Sequence, residues 1–322
     1  MQKNFSLFVL LIISTSVFSY GKKTSFSFPL KVPMDSVALF SLPAEISNFP
    51  VRDFAFSPDN QEIFFTVESP KSTFSSIIRM IKTGSKWIIE VAPFSGQYSD
   101  IEPAFSPDGQ SLYFVSNRPV NKDGKEKDFD IWKTEKKNGI WQEPVNLGLP
   151  VNTEANEFYP AITNSGNLYY TAEYKNSKGK EDIWVSRFVD RKYTNPESLS
   201  DSVNSSKYEF NAFVSPDESV ILFTSFGRED DLGGGDLYFS KKDKSGNWTK
   251  AKNLGEKINS TALDFCPFIS FDKQFFVFTS NRSSIRKAYK SKLTLTDLVK
   301  EFGQPANGKG NLYWISTKTI LE

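Results

Sequence analysis

Acidic and basic side chains recur along the chain at intervals of about 50 residues, and they are the first candidates for chemistry. A carboxylate stands at the start of an apolar stretch in four places: Asp100, Glu157, Glu209 and Asp264. A basic residue ends the following apolar stretch at Arg118, Arg228 and Arg282, with Lys175 in one unit. Such acids pair with arginines across strands, or form a charged ring that binds a polar ligand.

The composition excludes several kinds of active site. The chain has no histidine, which excludes Ser-His-Asp and Cys-His nucleophiles and histidine-ligated metals. Its single cysteine, Cys266, forms no internal disulfide and is predicted to be a small buried residue. With 39 basic and 38 acidic residues, the chain lacks the charge excess that attracts nucleic acid or an anionic membrane.

One glycine-rich segment, "DDLGGGD" at 230–236, resembles neither a phosphate loop nor a calcium loop. No Lys-Ser or Lys-Thr pair follows it, and the spacing of its aspartates is not that of an EF-hand. We interpret it as a solvated turn. The sequence therefore predicts no metal and no cofactor.

The candidate residues belong to a repeated unit. The stretch "PAFSPDGQSLYFVSNR" at 103–118 has counterparts at 54–69, 160–175, 212–228 and 267–282. Each copy reads as two strands around a turn. A third strand follows, as in "DIW" at 130–132, and then a glycine turn and a fourth strand. Four antiparallel strands per 50 residues are typical of a propeller blade.

The two ends of the repeat array complement each other. The fifth unit contains only three strands, whereas residues 35–47 resemble the fourth-strand segment 143–155. We therefore predict an all-β, five-bladed β-propeller of four-stranded antiparallel blades, in which an N-terminal strand completes the last blade. One domain spans 20–322, with blades at about 51–97, 98–153, 154–206, 207–261 and 262–322 plus strand 35–47.

The repeat also resembles a known family. The "FSPDG" turn, the trailing "SNR" and the "G-x-D-[IL]-[YW]" third strand are similar to the WD40-like repeats called PD40. Such repeats form the propeller of the translocation protein TolB and of many exported bacterial proteins. The resemblance covers about residues 35 to 322, and the third unit ("TNSG") and the fifth ("SFDK") depart from the turn pattern. It specifies the type of blade and leaves the function open.

The first residues predict export. Residues 1–19 read as a signal peptide, with Lys3 ahead of an apolar run at 5–13 and small residues at Val17 and Ser19. An uncleaved membrane anchor is the alternative, although the run is short for a bilayer span. No cysteine stands at the cleavage region, so a lipoprotein is not expected. The predicted location is periplasmic or secreted, with no membrane insertion after cleavage.

One segment interrupts the repeat. Residues 283–310 form an insertion in the fifth unit, with a basic cluster that includes Arg286 and Lys287. A short helix "DLVKEF" follows, predicted to be capped by Thr296 and ended by Gly303 and Pro305. The insertion is either a packing flap or a binding element beside the central funnel.

These observations lead to a functional prediction with alternatives. The main prediction is an exported, non-catalytic and monomeric binding propeller that recognises a protein, a peptide or an envelope glycan at its funnel. Its candidate site residues are Asp100, Glu157, Glu209, Asp264, Arg118, Arg228, Arg282, Arg286 and Lys287. The first alternative is a carboxylate-dependent glycoside hydrolase or lyase. The second is a peptidase-related domain that has lost its catalytic partner.

Overall fold

A computed structural model describes residues 25–26, 32–121, 124–125 and 127–321. Nearly all regular structure in these residues is β-strand. The predicted signal peptide, residues 1–19, lies outside the described residues. Of the helices in the described part of the chain, none has the length and apolar character needed to cross a bilayer.

The first two blades hold ten of the strands and share an antiparallel order. Blade 1 consists of β3 (Val51–Phe56), β4 (Glu62–Glu68), β5 (Ser75–Thr83) and β6 (Lys86–Val91), with β1 (Ser25–Phe26) on its outer edge and β2 (Ala38–Leu39) preceding it in the chain. Blade 2 consists of β7 (Asp100–Phe105), β8 (Ser111–Ser116) and β9 (Asp130–Lys137), whose outer side pairs with β10 (Ile140–Trp141) and β11 (Val145–Asn146).

The remaining blades follow the same order from the inside outwards. Blade 3 contains β12 (Glu157–Ile162), β13 (Leu168–Ala172), β14 (Asp182–Ser186) and β17 (Glu197–Ser198), with a separate hairpin of β15 (Phe188–Val189) and β16 (Lys192–Tyr193). Blade 4 contains β18 (Tyr208–Val214), β19 (Val220–Phe226), β20 (Asp236–Lys241) and β21 (Lys252–Asn253). Blade 5 contains β22 (Asp264–Ile269), β23 (Phe275–Ser280) and β24 (Asn311–Ser316), and β2 is its outer strand.

The predicted five-bladed propeller and its closure are confirmed. Strand β2 pairs antiparallel with β24, where Ala38 lies opposite Trp314 and Leu39 opposite Tyr313. The next residue, Phe40, is buried at 2% exposure against the rings of Phe54 and Trp314, with ring centres 5.2 and 5.5 Å away. An N-terminal segment thus ties the last blade to the first and removes an open sheet edge.

The repeated "SPD" turn is held by its own side chains. In blade 2 the Ser106 hydroxyl donates to Asp108 at 2.6 Å and accepts the backbone N–H of Ser111. The fifth blade keeps this arrangement despite its different turn sequence, since Ser270 donates to Asp272 at 2.6 Å. The turns define one face of the propeller, which we call the turn face. The opposite face, where the inner strands begin, is the loop face.

Every inner strand contains a register shift that the sequence did not predict. We expected Phe105 to pair with Leu112 and Asp100 with Asn117. The first pair is present, but the register shifts between Ile101 and Ala104, so Asp100 lies opposite Ser116. The same shift occurs at the equivalent position of the other four inner strands. It places one residue per blade outside the regular pairing.

The inserted segment of blade 5 forms a helix that begins earlier than predicted. Helix α1 (Leu295–Gly303) is capped by Thr294, whose hydroxyl accepts the N–H of Asp297, and not by Thr296. The Asp297 side chain in turn accepts from the Thr294 backbone, which completes a capping box. A short C-terminal helix, α2 (Lys318–Leu321), follows β24 on the turn face.

We expect the closing strand to be essential for stability. The substitution Phe40→Ala should lower the free energy of unfolding by about 3 to 5 kcal/mol, because it leaves a cavity between two blades. Met34→Ala in the same segment is the control, since Met34 is 48% exposed and should change stability by less than about 0.5 kcal/mol. Chemical denaturation of both variants measures the difference, and equal stability would contradict a closing role for β2.

Candidate functional site

Three of the four predicted acids form buried ion pairs with the predicted arginines. Asp100, Glu157, Glu209 and Asp264 are all completely buried. The pairing distances are 2.6 Å for Arg118–Asp100, 2.8 Å for Arg228–Glu209 and 2.7 Å for Arg282–Asp264. Burial raises the pKa of Asp100, and Arg118 opposes the rise. Each pair lies within one blade, between the inner strand and the residues that follow the second strand, and a role in ligand binding stays a prediction.

Each of these arginines reaches the preceding blade. In blade 2 the guanidinium of Arg118 donates to the Phe94 carbonyl at 2.8 Å, and it lies over the rings of Phe114 and Trp132. Arg228 and Arg282 make the same contacts with the Val203 and Ile258 carbonyls. A planar guanidinium suits such a site, because it stacks on aromatic rings while it binds a carboxylate. We call this arrangement the arginine latch.

Blade 3 lacks the latch. Lys175 is exposed, and Glu157 instead accepts hydrogen bonds from the Tyr174 hydroxyl at 2.9 Å and from the Thr153 hydroxyl at 2.7 Å. Burial raises the pKa of Glu157 to about 7, against the opposing effect of these hydrogen bonds. Among the four acids of this set, Glu157 is therefore the one with no ion pair in the described part of the chain.

The other two predicted site residues lie apart from the latches. Arg286 and Lys287 are exposed on the inserted segment, which starts beside Arg282 and returns to β24 on the loop face. The structure therefore does not bring the nine predicted residues together as one site.

A different group of residues converges at the central channel. The residue displaced by the register shift has a left-handed backbone conformation in every blade, with φ between 51° and 60°. These five residues are Asp53, Glu102, Tyr159, Asn211 and Cys266. Non-glycine residues adopt this conformation at a cost, and such strain concentrates at functional sites. We call them the channel ring.

Hydrogen bonds join the channel ring across blades. Asp53 accepts the N–H of Glu102 at 3.0 Å and the S–H of Cys266 at 2.8 Å. The Glu102 carboxyl accepts the N–H of Tyr159 at 2.6 Å and the side-chain amide of Asn211 at 3.2 Å. The two carboxyl groups thus connect all five blades.

One arginine binds both carboxyl groups of the ring. The Nε atom of Arg52 donates to Asp53 at 3.0 Å, and its Nη2 atom donates to Glu102 at 2.5 Å. On the loop face the guanidinium also lies 4.0 Å from Glu68 and over the ring of Phe265. The shared guanidinium holds Asp53 and Glu102 close together.

Burial makes the Glu102 carboxyl group an unusually weak acid. Removal from water raises its pKa to about 8, Arg52 opposes the rise, and Asp53 adds to it. Burial likewise raises the pKa of the Cys266 thiol, so this buried cysteine is a hydrogen-bond donor and not a reactive thiolate. A carboxyl group that stays protonated at neutral pH can donate a proton in catalysis.

A cavity of about 90 Å³ leads from the turn face towards Glu102 and Tyr159. It is lined mainly by apolar side chains from the second halves of the inner strands. Its aromatic lining residues are Phe54, Phe105, Tyr159, Phe213, Phe268 and Phe271. An apolar pocket with a few convergent polar groups is the usual form of a small-molecule site.

The aspartates of the 230–236 segment accept hydrogen bonds from groups in the loop and next to it. Asp230 accepts from the Tyr238 hydroxyl, Asp231 accepts from the N–H groups of Gly227 and Gly233, and Asp236 accepts from Leu232. Among the described residues, no group of three or more potential ligands is arranged to hold a metal ion.

Comparisons with known proteins support the fold. No protein-family model and no curated protein matches the chain, so the PD40 assignment remains a prediction while the propeller is confirmed. Among solved structures, Kuenenia stuttgartiensis hydrazine synthase matches with a TM-score of 0.50 and 11% identity, over 87% of this chain and 42% of that chain. A puromycin-hydrolysing peptidase of Mycobacterium tuberculosis matches with a TM-score of 0.41 and 11% identity, over 76% of this chain and 36% of that one.

A third match covers nearly the whole of both chains. The α-L-arabinofuranosidase PaAbf62A of Podospora anserina has a TM-score of 0.48 and 10% identity, over 88% of this chain and 98% of its own. Two further glycoside hydrolases match similarly. These neighbours are glycoside hydrolases, the predicted alternative, and they give the predicted non-catalytic scaffold no support. The likeness describes the fold alone, so the chemistry has to be argued from this chain's own carboxyl groups.

The buried carboxyl group of Glu157 should make stability depend on pH. Its pKa is raised to about 7 in the folded chain, against about 4.3 in an unfolded one. Its stabilising contribution is complete below about pH 4.3 and is lost as the pH rises through 7. Glu157→Gln, which cannot ionise, should therefore gain about 1 to 3 kcal/mol relative to wild type between pH 5 and pH 8.

Thermal or urea unfolding at the two pH values measures this change. Glu209→Gln is the matched control, because it removes the partner of Arg228 and should destabilise the protein at both pH values. A Glu157→Gln effect that is the same at pH 5 and pH 8 would contradict a raised pKa.

Proposed function

We propose that the protein is a carboxylate-dependent glycoside hydrolase whose reaction takes place at the channel ring. The observation that carries this proposal is the pair of Asp53 and Glu102. Both stand at the repeated left-handed position, yet blades 3 to 5 have no acid there. Structural acids recur with the repeat, as the latch acids do, whereas a catalytic pair is expected to interrupt it.

Glu102 is the general acid in this proposal. Its carboxyl group borders the cavity, and its pKa of about 8 keeps it protonated at neutral pH. It can therefore donate a proton to the leaving oxygen of a glycosidic bond that enters from the turn face. The aromatic lining suits the apolar face of a sugar ring.

Asp53 is the second carboxyl group of the pair. It is fixed by Arg52, by the Cys266 thiol and by the Glu102 N–H. In glycoside hydrolysis the second carboxylate also stabilises the positive charge of the transition state. We assign this electrostatic role to Asp53, which lies beside Glu102 and does not line the cavity. Arg52 is a positioning residue, since it holds the two carboxyl groups in one geometry.

Variants of the pair test the proposal. Glu102→Gln should lower kcat/KM about 10² to 10⁴-fold for aryl glycosides with poor leaving groups, because no proton reaches the leaving oxygen. The loss should be much smaller for dinitrophenyl glycosides, whose leaving group needs no proton. If Glu102 had a purely structural role, Glu102→Gln would lower kcat/KM by the same factor for both kinds of glycoside. Release of the phenol from a panel of pentosides and hexosides in both anomeric forms is the measurement.

The matched control is Glu68→Gln, which also removes a carboxylate beside Arg52 but does not belong to the channel ring. It should keep activity within about threefold, as expected for a substitution outside the reacting pair. In the wild type, kcat/KM should fall above about pH 8 as Glu102 loses its proton. The proposal would be overturned if the wild type cleaved none of the glycosides. It would also be overturned if Glu102→Gln and Glu68→Gln lost kcat/KM to the same extent.

We also infer that the protein is an exported PD40-type propeller. The "SPD" turn with its Ser-to-Asp hydrogen bond and the recurring arginine after the second strand support the repeat type. The basic residue, apolar run and small residues of positions 1–19 support export. Sequencing the N-terminus of protein recovered outside the cytoplasm should give a chain that starts at Tyr20, and an uncleaved N-terminus would contradict this inference.

A further inference from the structure

The inserted segment of blade 5 carries an exposed apolar face that nothing in the described structure covers. On α1, Leu295, Val299 and Phe302 are 77%, 66% and 52% exposed. Their spacing of four and three residues places them on one side of the helix. Leu298, three residues after Leu295 and four before Phe302, borders the same side and is half-buried. The helix thus presents three large apolar side chains outwards.

Basic side chains surround this apolar face. The insertion, residues 283–310, holds six basic and only two acidic residues, in a chain whose formal net charge is +1. Five of the cations are exposed: Arg286, Lys287, Lys290, Lys292 and Lys300. Within the described part of the chain, none of these five forms an ion pair.

The two acids of the insertion are engaged within it. Asp297 forms the capping box with Thr294, and Glu301 accepts a hydrogen bond from the Tyr289 hydroxyl at 2.8 Å. The second of these contacts also ties the basic part of the insertion to α1. The positive charge of the segment is therefore left for an external partner.

The insertion is fixed to the loop face of the propeller. Lys309 donates to the Asn48 carbonyl at 3.2 Å, and Ser283 pairs with Asn307 as a short bridge. Phe49, next to that carbonyl, is itself 43% exposed. The anchored segment therefore holds its apolar face and its cations on one side of the molecule.

We propose that this segment binds the protein to the surface of an anionic phospholipid bilayer. Large apolar side chains on one side of a helix, with lysines and arginines around them, are the features of a helix that lies in the interface of a membrane. The cations complement anionic headgroups, and three side chains on a convex helix suit the acyl boundary. The proposal is independent of the catalytic pair, since the insertion is on the loop face and the cavity opens on the turn face.

Vesicle co-sedimentation of the full chain tests this binding. Vesicles with 30% phosphatidylglycerol in phosphatidylcholine should bind the protein at least about tenfold more tightly than phosphatidylcholine alone, and salt should weaken the difference. The triple variant Leu295→Ser, Val299→Ser, Phe302→Ser should lose at least about tenfold in affinity. The variant Arg286→Gln, Lys287→Gln, Lys290→Gln, Lys292→Gln should lose the preference for anionic lipid.

The matched control replaces three equally exposed apolar residues of blade 2. Ile140, Val145 and Leu149 are 66%, 67% and 81% exposed, and their change to serine should leave binding unchanged. The apolar run near the N-terminus is present in every variant, so a comparison between variants isolates the insertion. Equal binding to both lipids, equal losses in the control, or wild-type binding by the triple variant would overturn the proposal.

Discussion

The structure depends on one constraint, the left-handed turn of each inner strand at the channel. At this position the chain leaves the regular ladder, and the N–H group of the displaced residue needs an acceptor in another blade. The threonines Thr66, Thr171 and Thr279 accept from Glu102, Asn211 and Asp53 of the following blade. Val115 stands at the corresponding place in blade 2, and there the Glu102 carboxyl accepts from Tyr159 instead. A carboxyl group is thus built into the backbone scaffold of the ring.

In the proposed reaction, Glu102 has both a structural and a catalytic role at this position, and the two roles need different surroundings. A group that fixes the ring should be buried and fully hydrogen-bonded, whereas a group that donates a proton needs contact with a cavity and a raised pKa. Both requirements are met because Glu102 is buried and also borders the cavity. The arginine latches also join neighbouring blades, through backbone carbonyls of the preceding blade, so the channel ring does not hold the blades together alone.

Much of the fold could be predicted from the sequence, because blade architecture repeats with the chain. The five hairpins recur at intervals of about 50 residues, and three of them carry an acid–arginine pair. The closing strand could be predicted because the fifth unit lacks an outer strand of its own. The channel ring could not be predicted in this way, because strand-pairing rules do not show which residue a register shift displaces. The sequence did contain one indication of the ring, because these five positions differ in residue type from blade to blade while the positions beside them repeat. The five residues are Asp53, Glu102, Tyr159, Asn211 and Cys266. Net charge was equally uninformative about the insertion, because +1 for the whole chain conceals a local excess of cations.

The closing strand has a consequence for the order in which the molecule can be assembled. Strand β2 is made among the first segments of the chain, yet its partner β24 is made among the last. Until β24 emerges from the ribosome, Phe40 and the inner strand of blade 1 have no complete surface to pack on. Contacts between such distant segments form slowly and leave apolar edges open meanwhile. A ring of this kind is expected to close only after β24 has been synthesised, which is compatible with a chain that crosses a membrane unfolded.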